Sequence, residues 1–201
     1  MAIGMAKRLV ACALMFVAAT TFSISQNAKV DEVRNKIIEA AKGKQSAECG
    51  FVITKRSKLL KDPAVMTGRM SYQKPYSVYW ECRTPSKTIF TTDGEKATIE
   101  KDGEKRTIDL KSTKMFRRIK RMTGEGIGVE SLMKSNKFDA DVTEEANDWL
   151  MTLTPNKKEI AQFASEIVLL VGKNDCVVKK IEITGKNGDT TTIELKNMKT
   201  K

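Results

Sequence analysis

The chain has 201 residues, with 36 Lys or Arg against 25 Asp or Glu, for a net charge of +11. Hydrophobic residues at 40% and charged ones at 30% argue for one packed domain rather than a disordered chain. There is no histidine, which excludes Ser-His-Asp and Cys-His catalysis and leaves zinc only a thiolate- or carboxylate-rich site.

Lys7 and Arg8 precede an apolar run from Leu9 to Phe22, followed by small polar residues. This is the pattern of a secretory signal, predicted over residues 1–25. Its 14 positions are too few to span about 30 Å of hydrocarbon as a helix. Ser23 and Ser25 place cleavage before Gln26, with cleavage after Ala19 as the competing site. Leu9-Val10-Ala11-Cys12 superficially resembles a lipidation box, but Cys12 follows Arg8 too closely and the apolar run continues past it. The remaining residues, 26–201, read as a single domain of 176 residues and charge +9.

Val30, Val33, Ile37, Ile38 and Ala41 recur at helical spacing, and Gly43 can end that helix. The period then falls to two. Cys49, Phe51 and Ile53 mark a first strand; Met66, Gly68, Met70 and Tyr72 a second; Val78, Trp80 and Cys82 a third. Lys74-Pro75 and Pro85 interrupt the ladder, because proline has no N–H to donate. A strand begins at Ile89-Phe90, and Ala97–Lys101 and Lys105–Leu110 flank Asp102-Gly103, a strong hairpin signal. Met115, Phe116, Ile119 and Met122 form the apolar stripe of a helix whose back carries Lys114, Arg117, Arg118, Lys120 and Arg121. Gly124–Gly128 reads as a hinge, and Val129–Ser135, with Leu132 and Met133, as a second short helix. Strands resume at Phe138–Val142 and Trp149–Leu153. After a loop or helical turn from Pro155 to Phe163, Glu166–Val171, Val177–Thr184 and Thr190–Leu195 bring the total to about eleven. The expected class is α+β, one large antiparallel sheet with helices at its start and middle.

Asp93-Gly94, Asp102-Gly103 and Asn187-Gly188 join strands to strands, so turn chemistry and not phosphate binding explains them. The pairs Asp139/Asp141 and Glu144/Glu145 have nothing in sequence to orient them as acid and base, so no enzyme is expected. No cofactor or metal is expected either. The basic helix suits a lipid headgroup surface or an acidic partner better than nucleic acid, because no aromatics are interleaved for stacking. Cys49, Cys82 and Cys176 are odd in number, which argues against a disulfide framework. Strand alternation places Cys49 opposite Tyr72 and Cys82 opposite Gly68, an offset of about 13 Å where a disulfide tolerates about 7 Å, so buried thiols are expected.

Gly68-x-Met70-x-Tyr72-x-Lys74-Pro75, then Trp80, Pro85 and Asp93-Gly94, resembles the LolA family of periplasmic lipoprotein carriers. Phe51, Leu153-Thr154-Pro155 and the closing Gly188–Leu195 strand are similar too, and the likeness runs from about Val30 to the end. The resemblance implies an unclosed antiparallel β-barrel of about eleven strands whose concave apolar face is covered by a helical lid. It implies a monomeric periplasmic carrier of acylated lipoproteins, loaded by an inner-membrane ABC transporter and unloaded to an outer-membrane acceptor. On that reading Phe51, Met66, Met70, Tyr72, Val78 and Trp80 line the ligand cavity, and Met115, Phe116, Ile119, Met122, Leu132 and Met133 belong to the lid. Lys74 stands where the family usually has an arginine that holds the lid shut; lysine keeps the charge and loses the planar fork. Two other readings fit the same residues. One is a carrier or sensor for a different amphiphile, such as a glycolipid or polyketide-like lipid. The other is an envelope interaction module without a cavity.

Overall fold

Eleven runs of alternating residues form eleven strands in the computed structural model, which describes residues 27–109 and 129–201. In chain order they are β1 Ser46–Arg56, β2 Ala64–Gln73, β3 Ser77–Thr84, β4 Thr88–Thr92, β5 Lys96–Lys101, β6 Glu104–Asp109, β7 Phe138–Glu144, β8 Asp148–Pro155, β9 Glu166–Gly172, β10 Val178–Thr184 and β11 Thr190–Thr200. Their order in space is β6-β5-β4-β3-β2-β1-β11-β10-β9-β8-β7. Every neighbouring pair is antiparallel. Two meanders are thus sewn together where the first strand meets the last. The edges β6 and β7 do not pair, so the barrel is unclosed.

Short turns set the local hand. Asp102 and Gly103 have φ of 54° and 83°, the left-handed pair that a two-residue hairpin requires. At Asp93-Gly94 the Asp93 carboxylate instead accepts the N–H groups of Glu95 and Lys96, both at 2.8 Å.

Among the described residues three helices accompany the sheet: α1 over 27–41, α2 Val129–Met133 and α3 Lys158–Ala161. Gly43, at φ 81°, ends the first, as its position in the sequence predicts. Helix α1 buries Val30, Val33 and Ile37, one stripe at 3–4 spacing, against Val142, Trp149, Met151, Leu153, Leu169 and Val171 of β7–β9. Met133 of α2 and Ile160 of α3 join the same cluster. The tight core therefore lies over one half of the sheet. The expected helix around Met115–Met122 and the hinge Gly124–Gly128 lie outside the described residues.

One expected register is corrected. Cys49 stands opposite Met70, not Tyr72, while Cys82 does stand opposite Gly68. Phe51 fixes this. Its ring lies over Gly68, where an ideal Cβ would come 2.5 Å from the Phe51 Cζ. Only glycine leaves that room, and the pairing Phe51–Gly68 carries Cys49 to Met70. Cys49, Cys82 and Cys176 are free thiols; Cys49 is buried as expected, whereas Cys82 and Cys176 are only half-buried.

Candidate functional site

In an antiparallel sheet, residues directly opposite one another share a face. Ile53 faces Met66, Phe51 faces Gly68 and Cys49 faces Met70 across β1 and β2. Met70 then faces Trp80, and Tyr72 faces Val78, across β2 and β3. All six residues expected to line a cavity, Phe51, Met66, Met70, Tyr72, Val78 and Trp80, are therefore on one face of three adjacent strands. Phe51 is 2% exposed and stacks on Trp80, with ring centroids 4.2 Å apart and planes at 27°. This stack forms the floor of the patch. Around it Met66, Met70, Tyr72, Val78 and Trp80 are only half-buried.

The apolar face extends further than those six. Phe90 faces Trp80, and Ile99 faces Phe90, across β3, β4 and β5. On the other side Leu195 and Ile193 of β11 face Phe51 and Ile53. Sequence alone reaches Ile89-Phe90 as a strand but not its facing, because adjacent apolar residues leave the parity open. The missing signal is the direct partner: Phe90 is counted in from Trp80 once the β3–β4 register is known.

Lys74, just past the end of β2, is held by its backbone N–H to the Gln45 carbonyl at 2.8 Å. Its Nζ donates to Glu130 Oε2 of α2 at 3.2 Å. Lys134 Nζ binds the other oxygen, Glu130 Oε1, at 2.7 Å. Lys134, then Lys74, hold the Glu130 carboxyl below the usual carboxylate range. Burial, and next the negative charge of Glu130, push the nearby Tyr72 phenol up. Lys74 thus meets a helix beside the apolar face, and its partner there is a carboxylate. A compact ammonium suits one carboxylate oxygen, where an arginine fork would suit a pair of acceptors. Leu132 packs against the core cluster and Met133 is buried within it. Met115, Phe116, Ile119 and Met122 fall outside the described residues.

The opposite face of β1–β3 carries a different feature. A hollow of about 480 Å³ is bounded by Glu48, Gly50, Arg69, Ser71, Tyr79 and Lys199, with Met70 the only expected cavity residue on its wall. Arg69 is paired with Glu81 and lies over the Tyr79 ring at 5.4 Å. Those walls are mixed, with Cys49 and Met70 beside the charged Glu48, Arg69 and Lys199, which an alkyl chain would have to desolvate.

Three of the four carboxylates considered for hydrolysis have other partners. Asp139 accepts from the Asn156 amide at 3.1 Å, and Asp141 from the Val142 N–H at 2.9 Å. Glu144 is gripped by Lys29 at 2.6 Å and Lys173 at 2.9 Å, which lower its pKa to about 2. Among the described residues no group of three or more His, Cys, Asp or Glu is placed to hold a metal ion. No helix among them is long and apolar enough to cross a membrane.

These features coincide with known proteins in one respect above all. The family model for the outer membrane lipoprotein carrier protein LolA matches residues 42–201. Solved structures share the fold. An uncharacterized conserved protein from Thermus thermophilus superposes with a TM-score of 0.53 at 7% identity, covering 86% of this chain and 88% of that one. The Mycobacterium tuberculosis lipoprotein LppX gives 0.50 at 9% identity over 85% and 95%. Nothing matches among curated proteins. With the family model spanning all eleven strands, including the Phe51–Trp80 floor and Lys74, the chain belongs to the LolA family.

Proposed function

We propose that this protein is a periplasmic carrier that shelters the acyl chains of lipoproteins on the apolar face of its barrel and delivers them to the outer membrane. The observation that carries the reading is the uneven cover of that face. Over β7–β9 it is sealed by α1 and α2, whereas Met66, Met70, Val78, Trp80 and Phe90 around the Phe51 ring remain half-buried. An acyl chain of roughly fifteen carbons costs on the order of 12 kcal/mol to expose to water, at about 0.8 kcal/mol per methylene, so it does not cross an aqueous space unaided. A pleated apolar surface of several strands is wide enough to shield it.

Delivery also demands release, which requires that an empty state compete with the loaded one. The Lys74–Glu130 pair supplies part of that competition by fastening α2 beside the site. In this reading Phe51, Met66, Met70, Tyr72, Val78 and Trp80 touch the alkyl chain, and Leu132 and Met133 belong to the lid. Lipoprotein arrives from an inner-membrane ABC transporter and leaves to an outer-membrane acceptor.

A solvatochromic fatty-acid probe is expected to bind saturably, with competition by a purified acylated lipoprotein. Absence of saturable binding would refute the carrier reading. Lys74→Leu removes an ion pair of about 1 kcal/mol at this partial exposure, so cargo release to acceptor membranes should slow by about fivefold. Loading and release equal to wild type would show that Lys74 is no latch.

A further inference from the structure

Two leucines sit where a soluble surface would not place them. Leu59 is 92% exposed and its neighbour Leu60 48%, both in the loop between β1 and β2. The loop is built rather than slack. The Leu60 N–H bonds the Ser57 carbonyl at 3.1 Å, and the Leu59 N–H bonds the Ser57 hydroxyl oxygen at 3.3 Å, closing a tight turn. The base of that turn lies against the next hairpin, where Ser57 first, and further on Asn187 and the Lys58 backbone, hold the Asp189 carboxyl below the usual carboxylate range. Lys58 lies over Gly188, within 3.9 Å of where a Cβ would stand. The scaffold holds Ser57 and Lys58 against the barrel and thrusts the leucines outward.

The registers place more apolar surface at the same end. Arg56 pairs with Thr190, and Thr184 pairs with both Thr190 and Glu166, so the loops 57–63, 185–189 and 162–165 sit side by side. Phe163, in the last of these, is 49% exposed. The charge around this tip has one sign in excess. Lys55, Arg56, Lys58 and Lys61 flank the leucines and Lys186 stands in the neighbouring turn. Among the described residues Lys58, Lys61 and Lys186 have no carboxylate within ion-pair distance.

We propose that this end of the barrel docks on an anionic lipid surface, with Leu59 and Leu60 entering the headgroup–acyl boundary and the lysines meeting phospholipid phosphates. A projecting apolar tip ringed by snorkelling cations matches the chemistry of an interface that is apolar below and negative above. A convex tip of two or three side chains is much smaller than the roughly 800 Å² per partner of a stable protein interface, which disfavours a protein occupant. The docked end is opposite the Lys74 end of β2. Ile53 and Met66, the apolar pair nearest the leucine loop, would then lie closest to the bilayer.

The test is flotation of the purified protein with phosphatidylethanolamine–phosphatidylglycerol vesicles and with phosphatidylcholine vesicles. Wild type should float with the anionic vesicles, less so at high salt, and the Leu59→Ser/Leu60→Ser double variant should bind at least tenfold more weakly. Both positions are exposed, so the variant should keep the wild-type melting temperature and its binding of the fatty-acid probe, which separates this inference from the carrier reading. A Leu59→Trp variant should add a blue-shifted emission on vesicle binding. The proposal is overturned if wild type fails to float with anionic vesicles, which would point to a protein partner instead. It is equally overturned if the double variant floats as wild type does, or if the added tryptophan emits as in water while vesicle-bound.

Discussion

Gly68→Ala is the sharpest test of how the apolar floor is built. An ideal Cβ at Gly68 would lie 1.9 Å from the Glu81 carbonyl oxygen and 2.5 Å from the Phe51 Cζ. The first obstacle is backbone of β3 and cannot swing aside as a side chain can. The second is a ring with 2% exposure, already stacked on Trp80. Both β2–β3 pairing and the stack must shift, an overpacking strain of about 3 kcal/mol or more. With a urea m-value of about 2 kcal/mol per M, the midpoint should fall by about 1.5 M at unchanged slope. Trp80 reports the change directly through its fluorescence. Gly50→Ala is the internal control on the adjacent strand. Its Cβ would meet nothing nearer than backbone oxygens at 3.7 Å, an ordinary contact, so its effect should stay within about 0.5 kcal/mol. Adding Phe51→Leu to Gly68→Ala should recover part of the loss and leave the Glu81 contribution standing. Equal midpoints for Gly68→Ala and Gly50→Ala would refute the argument that Phe51 over Gly68 fixes the register.

Two further outcomes follow from the charges and thiols. Glu144 has its pKa lowered from 4.5 to about 2 by Lys29 and Lys173, so the stability it contributes is full above about pH 4.5 and is lost as pH falls toward 2. Glu144→Gln should therefore flatten the acid limb of a urea-midpoint profile over that window and leave its shape at neutral pH unchanged; an unaltered acid limb would contradict the pairing. Burial raises the Cys49 thiol, and Cys49 is 6% exposed, so it should react with a thiol reagent orders of magnitude more slowly in the native protein than in urea. All three of Cys49, Cys82 and Cys176 should titrate in urea without reductant, and a missing pair would show a disulfide that the register forbids.

The strands are legible because they alternate, and the parity of β1–β3 can be counted from Met66, Met70, Tyr72 and Val78 without coordinates. What alternation cannot supply is the register between strands joined by a long loop. The seven residues from Ser57 to Pro63 allow several pairings, and a shift of two keeps every side chain on its own face. Alternation therefore sets Cys49 against the wrong residue while its facing is right. Lys74 is legible as a charged residue at a strand end, but Glu130 is not legible as its partner. The two are 56 positions apart, and Glu130–Lys134 reads as an ordinary i,i+4 pair on one helix. The leucine tip escapes the sequence for another reason. Leu59-Leu60 resembles any apolar dipeptide, and only the turn closed by Ser57 and braced on Asp189 turns it outward.

The contacts of α2 also bear on the shape of the sheet. Met133 is part of the cluster formed with Val142, Trp149 and Met151 on β7 and β8, while three residues earlier Glu130 binds Lys74 beyond the end of β2. In sheet order β2 and β8 are five steps apart, which in a flat sheet amounts to about 24 Å at about 4.8 Å per strand. A helix of five residues is about 7.5 Å long. One turn of helix serves both places because the sheet coils, drawing the end of β2 toward the face of β8. The apolar side is then the inside of that curve. That geometry gives the Lys74–Glu130 contact its leverage. Among the described residues it joins the end of β2 to α2 across that curve, and a partly exposed pair of this kind is worth about 1 kcal/mol, which is the scale on which the Lys74→Leu comparison must be read.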